Sequence, residues 1–239
     1  MSLESENCFS CVQCSSNFDH IFSSLPLKEQ KNIDSHRQTK IFHKGDFLFQ
    51  QGQDCHGVYC ISSGKVKLVK EGEKGKQSLL RITGSKDILG IRGSLLQKPY
   101  SASAIALETT HVCCIPCDFF RNLAANHPKL SMNLACEMAI SLTQAEDKIS
   151  NLLNQNVKQR LGHLLISLSA SFGYEEKMGH TIDLPVTRAE MASMIGTSPE
   201  SVMRILSEFE QKGYSRINKK KITIVDQEKL LEEIEYFDH

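Results

Sequence analysis

Two groups of residues in this 239-residue chain have types and spacings that can do chemistry. The first is the cysteines, nine in all. Cys8, Cys11 and Cys14 form a C-x2-C-x2-C run in the N-terminal tail; Cys55, Cys60, Cys113, Cys114, Cys117 and Cys136 follow. An odd number without a secretory signal points to a reducing cytoplasm, and to thiols or metal ligands rather than a disulfide framework. The tail spacing occurs in ferredoxin-type iron–sulfur sites, and thiolates also suffice for zinc. Cys55, Cys60, Cys117 and Cys136 read as small buried hydrophobes. The second group lies between Thr187 and Gly213. Glu200, Ser201, Met203 and Arg204 share the exposed face near the start of a helix. A glutamate there can accept from cytosine N4, and an arginine can donate twice to guanine. Thr187, Arg188 and Ser198 are placed to donate to phosphates, which fixes register rather than sequence.

The elements that must position the second group are marked by their caps. Thr187 and Glu190 make a capping box that opens one helix, and Gly196 ends it. Ser198 caps the next helix, with Pro199 at its first position. Val202, Ile205, Leu206 and Phe209 fall at i, i+3, i+4 and i+7, a single buried stripe. Two capped helices joined by a tight glycine turn predict a helix-turn-helix, whose second helix enters the major groove. Residues Ser215–Ile224 follow as a β-hairpin wing, with Lys219 and Lys220 at a basic tip that can reach the DNA backbone. Between Lys158 and Val225 there are 10 Lys+Arg against 7 Asp+Glu.

Upstream, nine of the 14 glycines fall between residues 45 and 93 and separate short alternating runs, the pattern of an all-β sandwich or roll. Its last strands are expected over Ser103–Val112 and Cys113–Pro116. From Pro128 to about Asn156 the chain has no further glycine or proline. Ala135, Leu142 and Ile149 recur at one heptad position and Met138, Ala145 and Leu152 at the other, as in a seam between two copies of one helix. A helix packing on its own domain also permits that stripe. An amphipathic helix over Lys158–Phe172, a polar connection, a strand over Ile182–Val186 and an acidic final helix complete the reading. The balance of 28 Lys+Arg and 28 Asp+Glu argues against a non-specific coat on nucleic acid or anionic lipid. It leaves room for DNA recognition by a local patch, and no apolar run reaches a membrane-span length.

Read in order, these features resemble the Crp/Fnr superfamily of bacterial transcription regulators. The most specific segment is Thr187-Arg188-Ala189-Glu190 with Gly196 and Glu200-Ser201-Val202-Met203-Arg204. The resemblance implies an α+β chain: a tail over residues 1–20, a cupin-like β-roll with the cyclic-nucleotide-binding-domain fold over 21–125, a dimerisation helix over 126–156, and a winged helix-turn-helix over 157–239. It further implies a homodimer on palindromic double-stranded DNA, RNA polymerase as a protein partner, and Glu200 and Arg204 reading a TGA core. Pro199 and Met203 differ from the branches that bear on the outer bases.

In members that bind cyclic nucleotides, a glutamate and an Arg-Ser pair hold the ribose and phosphate. The corresponding residues here are Gly90-Ile91-Arg92-Gly93 and Tyr100-Ser101, so both charged partners are missing. The segment Ala106–Pro116 resembles instead the stretch that carries the internal cluster ligand of Fnr-type oxygen sensors, with Cys113 at the matching position. With Cys8, Cys11 and Cys14 it would supply the four thiolates of a [4Fe–4S] cluster. The Fnr tail is usually C-x2-C-x5-C, whereas this one is shorter. Zinc, a thiol redox switch, haem, a small molecule in the roll and a metal-free tail stay open as inputs, as does a ligand-binding roll without DNA activity. No Cys/His pair sits in a recognisable catalytic motif, so the chain does not read as an enzyme.

Overall fold

The computed structural model describes residues 10–13, 21–72, 77–176, 179–182, 184–219 and 221–235; Cys8, Cys14 and Lys220 lie outside them. The chain divides into two compact units, Met1–Leu142 and Thr143–His239.

In the first unit, helix α1 (Leu27–His36) precedes β1 (Gln38–Phe42), β2 (Phe47–Phe49), β3 (Gly57–Ser63), β4 (Val66–Glu71), β5 (Gln77–Thr83) and β6 (Ile88–Leu89). A short helix α2 (Ile91–Leu96) then leads to β7 (Ser103–Ala106), β8 (Thr110–Pro116) and α3 (Cys117–Asn126). The strands form two antiparallel four-stranded sheets, β1-β8-β3-β6 and β2-β7-β4-β5. Successive side chains on a strand face opposite ways, and here both faces of the first sheet are covered. Tyr59 and Ile61 of β3 and Val112 of β8 point into an apolar layer between the sheets, with Leu48, Phe49, Val66, Leu68 and Tyr100. Val58 and Cys60, with Cys113 and Ile115, point outward onto Phe22, Ile33, Phe120 and Leu130. Gly64, at the β3–β4 turn, has φ +94°, and a Cβ there would come within 2.5 Å of Thr110 Oγ1.

A 27-residue helix, α4 (Pro128–Asn154), runs from the first unit into the second. Two of its residues, Leu130 and Leu134, are buried. In the second unit α5 (Val157–Phe172) begins at a capping box between Asn156 and Gln159. It is followed by β9 (Gly173–Glu176), β10 (Gly179–Ile182), α6 (Arg188–Ile195), α7 (Pro199–Gln211), β11 (Ser215–Asn218), β12 (Lys221–Ile224) and α8 (Gln227–Glu235). The strands make one antiparallel sheet, β11-β12-β10-β9.

Two sequence expectations change here. The polar stretch after α5 is itself a hairpin, and the strand expected over Ile182–Val186 stops at Ile182 within the described residues. Pro185 has no N–H to give a ladder, which suits the chain leaving the sheet before it. Cys136, expected in the core, is exposed on α4.

Candidate nucleic-acid interface and sensor cysteines

The helix-turn-helix is fixed by local bonds at each end. Thr187 Oγ1 accepts from the Glu190 N–H at 3.1 Å, and the Thr187 N–H donates to Glu190 Oε2 at 2.8 Å, so the box is reciprocal. Gly196 closes α6 in the left-handed region, at φ +65°. Arg160 of α5 donates through Nε to the Ile195 carbonyl at 2.9 Å and so satisfies an end carbonyl of α6. Ser198 Oγ accepts from the Ser201 N–H at 3.3 Å and opens α7. Val202, Ile205, Leu206 and Phe209 are all buried.

With that stripe inward, Glu200, Met203 and Arg204 face solvent and Ser201 is half-buried. The Glu200 backbone N–H and then the Ser198 hydroxyl donate to the Glu200 carboxylate and hold its pKa below the usual range. A charged acceptor therefore stands at the first turn of the helix. Of the residues expected to meet phosphates, Thr187 and Ser198 are exposed at their caps. Arg188 is half-buried, with Nη1 3.8 Å from Met191 Sδ. Lys219 is exposed at the wing tip and holds φ +54°, a conformation that costs a lysine about 1–2 kcal/mol. Asn or Gly is the usual occupant of such a turn.

The far end of α7 is anchored by charges that the sequence did not reveal. Lys158 of α5 bonds Glu208 of α7 at 2.6 Å and also bonds Glu233 of α8. Lys212 reaches Glu233 at 2.6 Å, and the Tyr214 hydroxyl donates to Glu233 at 3.1 Å. Burial pushes the Glu233 carboxyl up, but these donors outweigh it and bring its pKa down to about 2. A carboxyl lowered in the folded state stabilises above its unfolded pKa of about 4.3, and that stability is lost as pH falls through about 2. Glu233→Gln is therefore expected to cost about 1–3 kcal/mol at neutral pH. Urea titrations of both proteins should show the gap closing across that acid range. A gap independent of pH would contradict the assignment.

In the first unit, two of the four expected cluster ligands are described. Cys11 and Cys113 are both buried in the cluster outside the first sheet. Cys113 pairs in register with Thr39 and Cys60, whereas Cys114 packs toward the layer between the sheets. Two partners were missed by the sequence. Arg37 Nη1 donates to Cys113 Sγ at 2.6 Å, and Arg37 Nε donates to Asp34 Oδ1 at 2.7 Å. The same Asp34 oxygen accepts from the Cys11 N–H at 2.7 Å. One ion pair thus ties the neighbourhoods of both cysteines. Among the described residues no three His, Cys, Asp or Glu side chains converge as a metal site. The remaining two expected ligands, Cys8 and Cys14, lie outside the described residues.

Inside the roll, Tyr100 stands at the position where cyclic-nucleotide-binding members are expected to carry an arginine. Tyr100 stacks on Phe49 with ring centroids 4.0 Å apart, and its hydroxyl donates to the Gly57 carbonyl at 2.7 Å. Arg92 is exposed on α2.

The six residues expected to form a seam on α4 divide. Leu142, Ile149 and Leu152 are 60%, 58% and 42% exposed, and Ala135 and Ala145 are also exposed. Met138 instead packs partly against the first unit's own cluster.

Comparison with known proteins gives two domain matches. Residues 39–127 match the cyclic nucleotide-binding domain family, and residues 159–233 match the Crp-like helix-turn-helix domain family. The chain is 27% identical to the anaerobic regulatory protein of Haemophilus influenzae over 93% of its length and 86% of the relative's. It is 28% identical to a CRP-like cAMP-activated global transcriptional regulator of Mycobacterium tuberculosis, over 79% of this chain and 84% of that one. Among solved structures, FixK2 from Bradyrhizobium japonicum superposes with a TM-score of 0.73 at 18% identity, covering 82% of this chain and 96% of that one. No helix among the described residues is long and apolar enough to cross a membrane.

Proposed function

Since this chain belongs to the Crp/Fnr superfamily of DNA-binding transcription regulators, we propose that it acts as a homodimer on palindromic DNA and senses oxygen or redox state through a [4Fe–4S] cluster on Cys8, Cys11, Cys14 and Cys113. The family consists of transcription regulators, not enzymes. The observation that carries the sensing part is the shared burial of Cys11 and Cys113 beside Arg37, whose guanidinium reaches the Cys113 sulfur. A cation at a sulfur favours the thiolate, which is the form that binds iron. Four cysteines would suit the group, and the described pair includes a guanidinium N–H donor to the Cys113 sulfur, the kind of bond that tunes a cluster's potential. When bound, such a cluster supplies an oxygen-sensitive redox centre.

The protein's own residues perform the rest. Leu142, Ile149 and Leu152 present an apolar stripe on α4 that a second copy would cover. Pairing two copies would set two α7 helices about one DNA turn apart, the spacing of a palindromic site. Glu200 and Arg204 would then read base edges while Thr187, Ser198 and Lys219 hold phosphates. RNA polymerase is the protein partner such a regulator would engage. The missing glutamate at Ile91–Gly93 and the buried Tyr100 favour this input over a cyclic nucleotide held in the family's usual way.

Anaerobic purification followed by an absorption spectrum and iron and sulfide assays tests the sensing reading. Visible absorption with iron and sulfide in equal amounts is expected. A colourless, iron-free protein that still binds its operator would overturn it and leave zinc or thiol oxidation as the input.

A further inference from the structure

Cys55 and Cys117 lie 62 positions apart in the chain, yet their sulfurs are 3.4 Å apart. Cys55 lies in the loop before β3, and Cys117 is the first residue of α3. Their backbones are joined as well: the Cys117 N–H donates to the His56 carbonyl at 3.2 Å, and Cys117 Sγ donates to the Cys55 carbonyl at 3.1 Å. Gly93 leaves room for the pair, since a Cβ there would stand 2.9 Å from Cys55 Sγ. Both cysteines line a cavity of about 360 Å³ whose walls include Asp54, His56, Lys98, Asp118 and Arg121. The mixed charges suit small polar molecules, and the cavity brings them to two adjacent thiols. Neither residue belongs to the expected cluster set.

We infer that Cys55 and Cys117 form a reversible disulfide when a small hydroperoxide enters this cavity. One sulfur attacks the O–O bond and takes an oxygen as sulfenic acid, and its proton goes to the departing hydroxide or alkoxide. The second thiol then displaces that oxygen as water and forms the S–S bond. Two electrons pass from the sulfur pair to the peroxide, and two thiol protons end in the water and alcohol released. Closing the bond requires the sulfurs to move from 3.4 Å to about 2.05 Å. Burial pushes the Cys55 thiol up to about 11, so at neutral pH it stays protonated and the pair answers sustained rather than brief exposure. The bond would fasten the start of β3 to the start of α3, independently of any cluster.

Peptide mapping of the full-length protein tests this. Anaerobically purified protein is treated with hydrogen peroxide, its remaining thiols are blocked with iodoacetamide, and it is digested without reductant. Fragmentation should place a bond between Cys55 and Cys117, lighter by two hydrogen atoms and lost on treatment with dithiothreitol. A bond placed on Cys60, Cys113 or Cys114 instead would overturn the inference. So would recovery of both Cys55 and Cys117 as alkylated thiols or sulfinic acids at a dose that oxidises the exposed Cys136. In Cys117→Ala, Cys55 should appear only alkylated or singly oxidised, and cross-linking of Cys55 to another cysteine would count against the pair. Mapping reads no iron, so failure of the cluster proposal leaves this result interpretable.

Discussion

Arg204→Ala is expected to weaken binding to the preferred operator by about 5- to 150-fold, which corresponds to about 1–3 kcal/mol at the base it contacts. The operator is obtained by selecting bound duplexes from a random pool. Arg204 is exposed on α7 while Val202, Ile205, Leu206 and Phe209 carry that helix's packing. Truncating it therefore removes the proposed reader without opening a cavity. Its loss should also relax preference at one position of each half-site. Lys219→Ala provides the contrast, because a phosphate contact carries no sequence information. It should weaken specific and non-specific duplexes alike and lower the salt slope by about one. Equal effects of Arg204→Ala on both kinds of duplex would reassign that residue to the backbone.

Cys113→Ala is expected to abolish bound iron and sulfide, whereas Cys114→Ala retains them. The two cysteines are adjacent in β8, but the pleat sends Cys113 to Arg37 and Cys11 and turns Cys114 toward the layer between the sheets. A general sensitivity of the strand to truncation would affect both variants equally. Iron and sulfide content, with melting temperature recorded beside it, separates loss of a ligand from loss of the fold. Iron retained by Cys113→Ala and lost by Cys114→Ala would reverse the assignment.

The parts of the molecule that were legible in the sequence are those governed by local rules. The α6–α7 pair was readable because its determinants are neighbours: Thr187 with Glu190, Gly196, and Ser198 with Pro199. The roll was readable from its glycine spacing, and α4 from its uninterrupted run. Helices α1 and α3 were missed because neither has a side-chain cap bond. In α1, only Gln30 and Ile33 are buried, so it has almost no apolar period to detect. The candidate sensor shows the same division. Cys113 was marked by its sequence context, but Arg37 lies 76 positions away and meets it only because β1 pairs with β8. Cys55 and Cys117 read as separate buried thiols for the same reason. The charges that anchor α7 come from Lys158 and Glu233, on two other helices. Their joint role depends on tertiary packing rather than on any spacing.

In the proposed mechanism the cysteines of the first unit control DNA binding by the second. The most direct measurement of that control is operator affinity on one preparation, purified without oxygen and titrated before and after exposure to air, with iron assayed at both points. Tight binding with iron present, weakened at least tenfold as iron is lost, is the predicted result. An unchanged affinity across that loss, or tight binding by protein that never contained iron, would contradict it.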